Sequence, residues 1–110
     1  MRKMNSLLFI VLALLMMSSC LKPNLKTSAL KVKGNCEMCK ATIEKSVKIK
    51  GVYSANWNVK TKILTISYDS TLVNLTSIDT NIANVGYDNE LVKANDKTYN
   101  KLHGCCQYTR

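Results

Sequence analysis

Apolar residues form two kinds of run along this chain. Leu7 to Met17 is unbroken, whereas from about residue 29 onward they alternate or recur at helical spacing. Residues 29–33 alternate, with Leu30 and Val32 on one side, and predict a strand. Cys39, Ile43 and Val47 recur every four residues, which predicts a helix over 37–49, stopped by Gly51. Alternation returns over 52–59, with Ala55, Trp57 and Val59 sharing a face. It resumes over 63–68 through Leu64, Ile66 and Tyr68 after a break at Lys60-Thr61, so the two runs predict a hairpin. A polar link over 69–74 ends at Asn74, a candidate N-cap. Leu75, Ile78, Ile82 and Val85 then line one face of a second helix, ended by Gly86. A last short strand is predicted over 89–93.

The order β-α-β-β-α-β predicts an α+β, ferredoxin-like sandwich, two helices on a four-stranded antiparallel sheet. Leu30, Val32, Ile43, Val47, Trp57, Leu64, Ile66, Ile78 and Ile82 are the expected core. So small a core leaves no room for a deep pocket, which argues against a small-molecule enzyme. The residue inventory agrees: His103 is the only histidine, and neither a Ser/His/Asp set nor an evident carboxylate pair is present. The chain is read as a binding protein, not an enzyme.

The N-terminal apolar run changes the setting. Its eleven residues are too few to span a bilayer comfortably, follow Arg2 and Lys3, and fit a secretory signal. The run ends in Met17-Ser18-Ser19-Cys20, which resembles a bacterial lipobox, with Cys20 the lipidated residue. The alternatives are ordinary signal cleavage with Cys20 left as a spare thiol, or an uncleaved anchor. The resulting division is a lipoprotein signal peptide over 1–19, a tether over 20–27 holding the sole proline, Pro23, a domain over 28–94 and a tail over 95–110. The expected location is the bacterial cell envelope, lipid-anchored and facing the periplasm or exterior. Net charge is +9, from 16 Lys and Arg against 7 Asp and Glu. The cations are scattered and no nucleic-acid-reading motif is present, so nucleic acid is not an expected partner. Anionic headgroups near the anchor, or an acidic partner protein, suit the basic surface.

With Cys20 assigned to the lipid, four of the five cysteines remain, in the pairs Cys36/Cys39 and Cys105/Cys106. Cys36-Glu37-Met38-Cys39 sits where the first strand hands over to the first helix. The free N–H groups and positive dipole end of that helix favour thiolate over thiol. Thiolates select soft ions over hard ones. The same spacing at a helix start also serves thiol–disulfide exchange, the alternative function. Neither a W-C-G-P-C loop nor a candidate cis-proline accompanies it. A purely structural role, with both pairs as disulfides in an oxidising compartment, is a third reading.

The residues resemble a heavy-metal-associated domain over about 29–94, the module of copper chaperones, periplasmic mercury-binding proteins and P-type ATPase metal-binding domains. The likeness rests on Cys36-x-x-Cys39, Gly51-Val52, Ile66-x-Tyr68-Asp69 and Gly86-Tyr87-Asp88. It implies a surface loop that binds one soft ion through Cys36 and Cys39 and passes it on by ligand exchange. Cu(I) is the first expectation, with Zn(II), Cd(II) and Hg(II) as alternatives. It also implies a metal-transporting ATPase or efflux component as partner, and a monomer or metal-bridged dimer. Asn35, Met38 and Tyr87 fall in the loops near the metal. Tyr87 is read either as a shield for the ion or as a core-edge aromatic, and Met38 as a candidate thioether or a packing residue. The chain departs from the family at Gly34, where a methionine usually packs beneath the loop.

The tail is a second departure. His103, Cys105 and Cys106 are additional candidate ligands. They can fold over the Cys36/Cys39 site, form a second metal site, give disulfides to the first pair, or belong to a frayed end.

Overall fold

In the computed structural model, residues 24–110 are described. The expected signal segment over 1–19, Cys20 and residues 21–23 of the expected tether lie outside the described residues. Three apolar side chains in register organise the sheet: Leu30 and Trp57 both pair with Leu64, one from each side. Their strands are β1 (Leu25–Lys31), β2 (Val52–Trp57) and β3 (Ile63–Asp69), antiparallel in the order β1-β3-β2. Two main helices, α1 (Glu37–Ser46) and α2 (Leu75–Asn84), join them in the order β-α-β-β-α. A short helix, α3 (Asp96–Asn100), and a 3₁₀ turn (Gly104–Cys106) follow.

All nine residues expected in the core are buried, joined by Cys39, Tyr68, Tyr87, Cys106 and Tyr108. Asn74 caps α2 as expected, its side chain accepting from the Ser77 N–H at 2.8 Å. Gly86 takes a positive φ (106°) just past α2. Gly51 (φ 96°) lies in the turn before β2 and not at the end of α1, which stops at Ser46 with Val47 as its C-cap. A side chain would be strained at either glycine.

The boundaries differ in four places. α1 ends at Ser46, short of the expected residue 49. β1 begins at Leu25, so residues 25–27, expected in the tether, pair with Asp69, Tyr68 and Ser67. The hairpin break is longer than Lys60-Thr61. Asn58 Oδ1 accepts the N–H groups of Lys60 and Thr61, and Lys62 takes a positive φ of 63° to close the turn onto Asn58 O.

The expected strand over 89–93 is reduced to one bridge, Asn89 to Val32. Side chains occupy the positions a strand ladder needs. Asn89 Oδ1 takes the N–H of Leu91 and Val92, which curls the chain. Asp88 Oδ1 accepts from Ala94 N, and Glu90 Oε1 accepts from Lys31 N in place of a backbone carbonyl.

One buried group opposes the fold. Asp79 on α2 is fully buried, and neither carboxylate oxygen has a hydrogen-bond partner. Burial, and secondarily the Glu90 charge, raise its pKa from 3.8 to about 6. The folded state therefore holds this proton more tightly than the unfolded chain, and its contribution is complete below pH 3.8 and lost as pH rises through 6. The difference corresponds to about 3 kcal/mol. Asp79→Asn is expected to raise the denaturation midpoint at pH 8 by more than it does at pH 4. An equal change at both pH values, measured by urea unfolding, would show that the carboxylate is not a buried charge.

Candidate metal centre

Cys36 is the N-cap of α1, in extended backbone (φ −143°, ψ 175°), with its thiol not turned back onto the helix. Its sulfur is free to face outward from the positive helix end. Cys39 lies within the first turn and is fully buried. Its Sγ accepts the Asn35 N–H at 3.4 Å and sits 3.4 Å from Cys36 Sγ. All four described cysteines are free thiols. Met38 points to solvent, 48% exposed.

The loop is bedded on tryptophan. A Cβ at Gly34 would meet Trp57 Cη2 and Cζ2 at 2.9 Å and Cys39 Cβ at 3.3 Å. The indole thus fills the space beneath the loop that the family's usual methionine would need. Trp57 Nε1 donates to Val32 O at 3.0 Å, and the Trp57 backbone is clasped to α1 on both sides. Its N–H donates to Glu44 Oε2 at 2.9 Å, and its carbonyl accepts from Lys40 Nζ at 3.0 Å.

The tail returns to the site. Cys106 is buried, and its sulfur lies 3.7 Å from Cys36 Sγ; the sulfurs of Cys36, Cys39 and Cys106 all fall within 4.8 Å of one another. Cys105 is exposed, 3.7 Å from Cys36 Sγ, 3.8 Å from Cys106 Sγ and 3.9 Å from Met38 Sδ. His103 is exposed and stands outside the buried trio. Its backbone carbonyl accepts the Cys106 N–H and closes the turn, so its part here is structural.

Three aromatic and ionic contacts hold the tail. Tyr108 Oη donates to Gly86 O at 2.8 Å and accepts from Asp88 N at 2.7 Å, while its ring stacks on Tyr87 at 5.9 Å. Tyr99 Oη donates to Tyr108 O. Arg110 forks onto both Asp88 carboxylate oxygens at 2.9 Å, reaches Asp96 at 2.7 Å, and lies over the Tyr99 ring. None of Tyr99, Tyr108 or Arg110 drew notice in the sequence. Two tyrosines and an arginine flanking the cysteine pair were the available signal.

Tyr87 settles as a core aromatic at the site's edge: it is fully buried and its hydroxyl makes no conventional hydrogen bond. Burial first, then the Cys39 and Cys106 thiols, push its ionisation upward. Burial also pushes the Cys106 thiol up, with Cys39 adding to it and Tyr87 opposing. The Tyr87 hydroxyl and the Cys106 thiol are thus both held toward their protonated forms. A soft ion that displaces the thiol protons would supply the Tyr87 hydroxyl with a thiolate to donate to.

Fold and site define a small α+β module that presents soft ligands at a helix start. A model of the heavy-metal-associated domain matches residues 29–88, and the chain belongs to that family. Among solved structures, the CopZ metallochaperone is 30% identical over 59% of this chain and 100% of its own, with a TM-score of 0.57. The putative copper-ion-binding protein from Bacillus anthracis str. Ames is 30% identical over 63% of this chain and 100% of its own, at 0.60. Oxidized MerP from Ralstonia metallidurans CH34, 24% identical over 60% and 94%, at 0.57, shares the fold. A search of curated proteins gives no match. The tail that carries Cys106 lies beyond the matched residues.

The bedding of the loop is testable by a double-mutant cycle. Gly34→Ala is expected to cost about 1–3 kcal/mol by overpacking against the indole. In a Trp57→Leu background the same change should cost distinctly less. Additive costs in urea denaturation would show that Gly34 and Trp57 do not share this space.

Proposed function

We propose that this chain carries a soft metal ion, Cu(I) first, on Cys36 and Cys39 outside the cytoplasm, for delivery to a membrane transporter or for sequestration. The observation that carries the reading is the pair of thiols 3.4 Å apart at the start of α1, one of them accepting a backbone N–H. Family membership supports soft-metal binding at this pair. Cu(I) is supported by relatives whose names state copper, including a Bacillus subtilis CopA domain in its copper form, 33% identical over 59% of this chain and 88% of its own, with a TM-score of 0.52. CopA is described as a P-type ATPase. A metal-transporting ATPase or efflux component is accordingly the proposed partner, with ligand exchange between sulfur sites as the transfer step. No bond is made or broken in the cargo itself, so the role is binding and transfer, not catalysis. Lipidation at Cys20 would hold the domain at the envelope surface.

Two measurements check this. Reduced protein spanning residues 21–110 is expected to hold one Cu(I) against a chromophoric competitor, and Cys36→Ser/Cys39→Ser to lose that binding. Catalysed disulfide exchange without Cu(I) binding would instead favour the oxidoreductase reading. In cells, Cys20→Ala should move the protein out of the detergent-extracted envelope fraction and abolish fatty-acid labelling. Unchanged labelling would remove the lipoprotein assignment.

A further inference from the structure

We propose that Cys106 is a third ligand, so that the tail closes over the cargo and converts an open two-thiolate loop into an enclosed three-thiolate site. The inference rests on the Cys36/Cys39 reading. Three independent observations carry it.

The first is spacing. Cys36 Sγ lies 3.4 Å from Cys39 Sγ and 3.7 Å from Cys106 Sγ, with all three sulfurs inside 4.8 Å. An ion about 2.3 Å from each of three thiolates holds them about 4 Å apart, so closing around one changes each separation by less than about 1 Å.

The second is orientation. A 3₁₀ turn rotates successive side chains by about 120°, so adjacent cysteines on it face different ways. Here Cys106 faces the core at 2% exposure while Cys105 faces solvent. The turn is fixed by Cys106 N–H to His103 O at 2.8 Å and by Gln107 N–H to Gly104 O at 3.3 Å. The anchors at Tyr108 and Arg110 hold it against α1. An incidental thiol on a frayed end would have neither the burial nor the anchors.

The third is an orphaned donor. The Tyr87 hydroxyl is buried without a hydrogen-bond partner, a costly arrangement in an interior. Tyr87 shares one buried cluster with Cys39 and Cys106, so thiolates formed there by metal ligation are the acceptors at hand.

Enclosure changes what the site does. With Cys39 and Cys106 buried and Cys36 half-buried, the fully exposed residues carrying sulfur here are Cys105 and Met38, their sulfurs 3.9 Å apart. Cargo therefore enters and leaves past Cys105, and the tail must loosen for a partner to reach the inner ligands. The device suits retention, with release on contact.

The test loads full-length reduced protein with one equivalent of Cu(I) and counts Cu–S contacts by X-ray absorption, alongside competition with a chromophoric chelator. Intact protein should show three sulfurs, Cys106→Ala two, and Cys105→Ala three. Cys106→Ala should weaken Cu(I) at least about tenfold, in the range that loss of a group supporting a metal's ligands costs. Cys106→Ser, closer in size, replaces alanine if near-ultraviolet circular dichroism shows a loosened fold. Arg110→Ala keeps every sulfur and should leave the count at three while speeding transfer of Cu(I) to the chelator. Two sulfurs in both the intact protein and Cys106→Ala would overturn the third ligand and leave the Cys36/Cys39 reading standing. Undiminished binding by Cys36→Ser/Cys39→Ser would overturn that reading itself. A transfer rate unaffected by Arg110→Ala would overturn the closing role of the tail.

Discussion

The Tyr108 hydroxyl, wedged between Gly86 O and Asp88 N, is the contact on which the site's final form depends. It uses both capacities of a phenol, one donor and one acceptor, on two backbone groups of the short connection that follows α2. In docking there, the tail sets the 3₁₀ turn against α1 and Cys106 beside Cys36.

The charges near this wedge serve the same end. Burial alone would raise the Asp88 carboxyl, but Arg110 and the Ala94 N–H hold it below its ordinary value. Asp88 therefore stays ionised well into acid. Its stabilising contribution is present above pH 3.8 and is lost as pH falls through its lower folded value. Asp79 runs the other way, favouring the folded state in acid. The fold thus tolerates an unpaired buried carboxylate on α2 while a forked ion pair holds the tail.

Most of the fold was legible because period alone decides it. Leu30 with Val32, Leu64 with Ile66, and Ile78 with Ile82 each share a face by spacing, and all six are buried. The pair Cys36/Cys39 was legible for the same reason: a helix start fixes both sulfurs with no help from distant chain. What escaped the sequence depends on long-range contacts. The strand over 89–93 yields because Asn89, Asp88 and Glu90 each spend a side chain on a backbone N–H, a choice that alternation cannot reveal. His103 looked like a ligand by composition, and it is the turn geometry that leaves it exposed while Cys106 faces inward. The roles of Tyr99, Tyr108 and Arg110 lie in contacts with residues 9 to 22 positions away, where no local pattern points.

Gly34 and Trp57 tie the two departures from the family together. With a methionine beneath the loop, packing under Cys39 would come from a flexible chain adjacent to the ligands. Here it comes from a rigid indole on β2, hydrogen-bonded at Nε1 and clasped to α1 through Glu44 and Lys40. A loop held this firmly from below has little freedom to reshape itself around an incoming ion. Adaptation must then come from above, from the one ligand carried on a separate, anchored and releasable segment. That segment is the tail, and Cys106 is the residue on it that faces the pair.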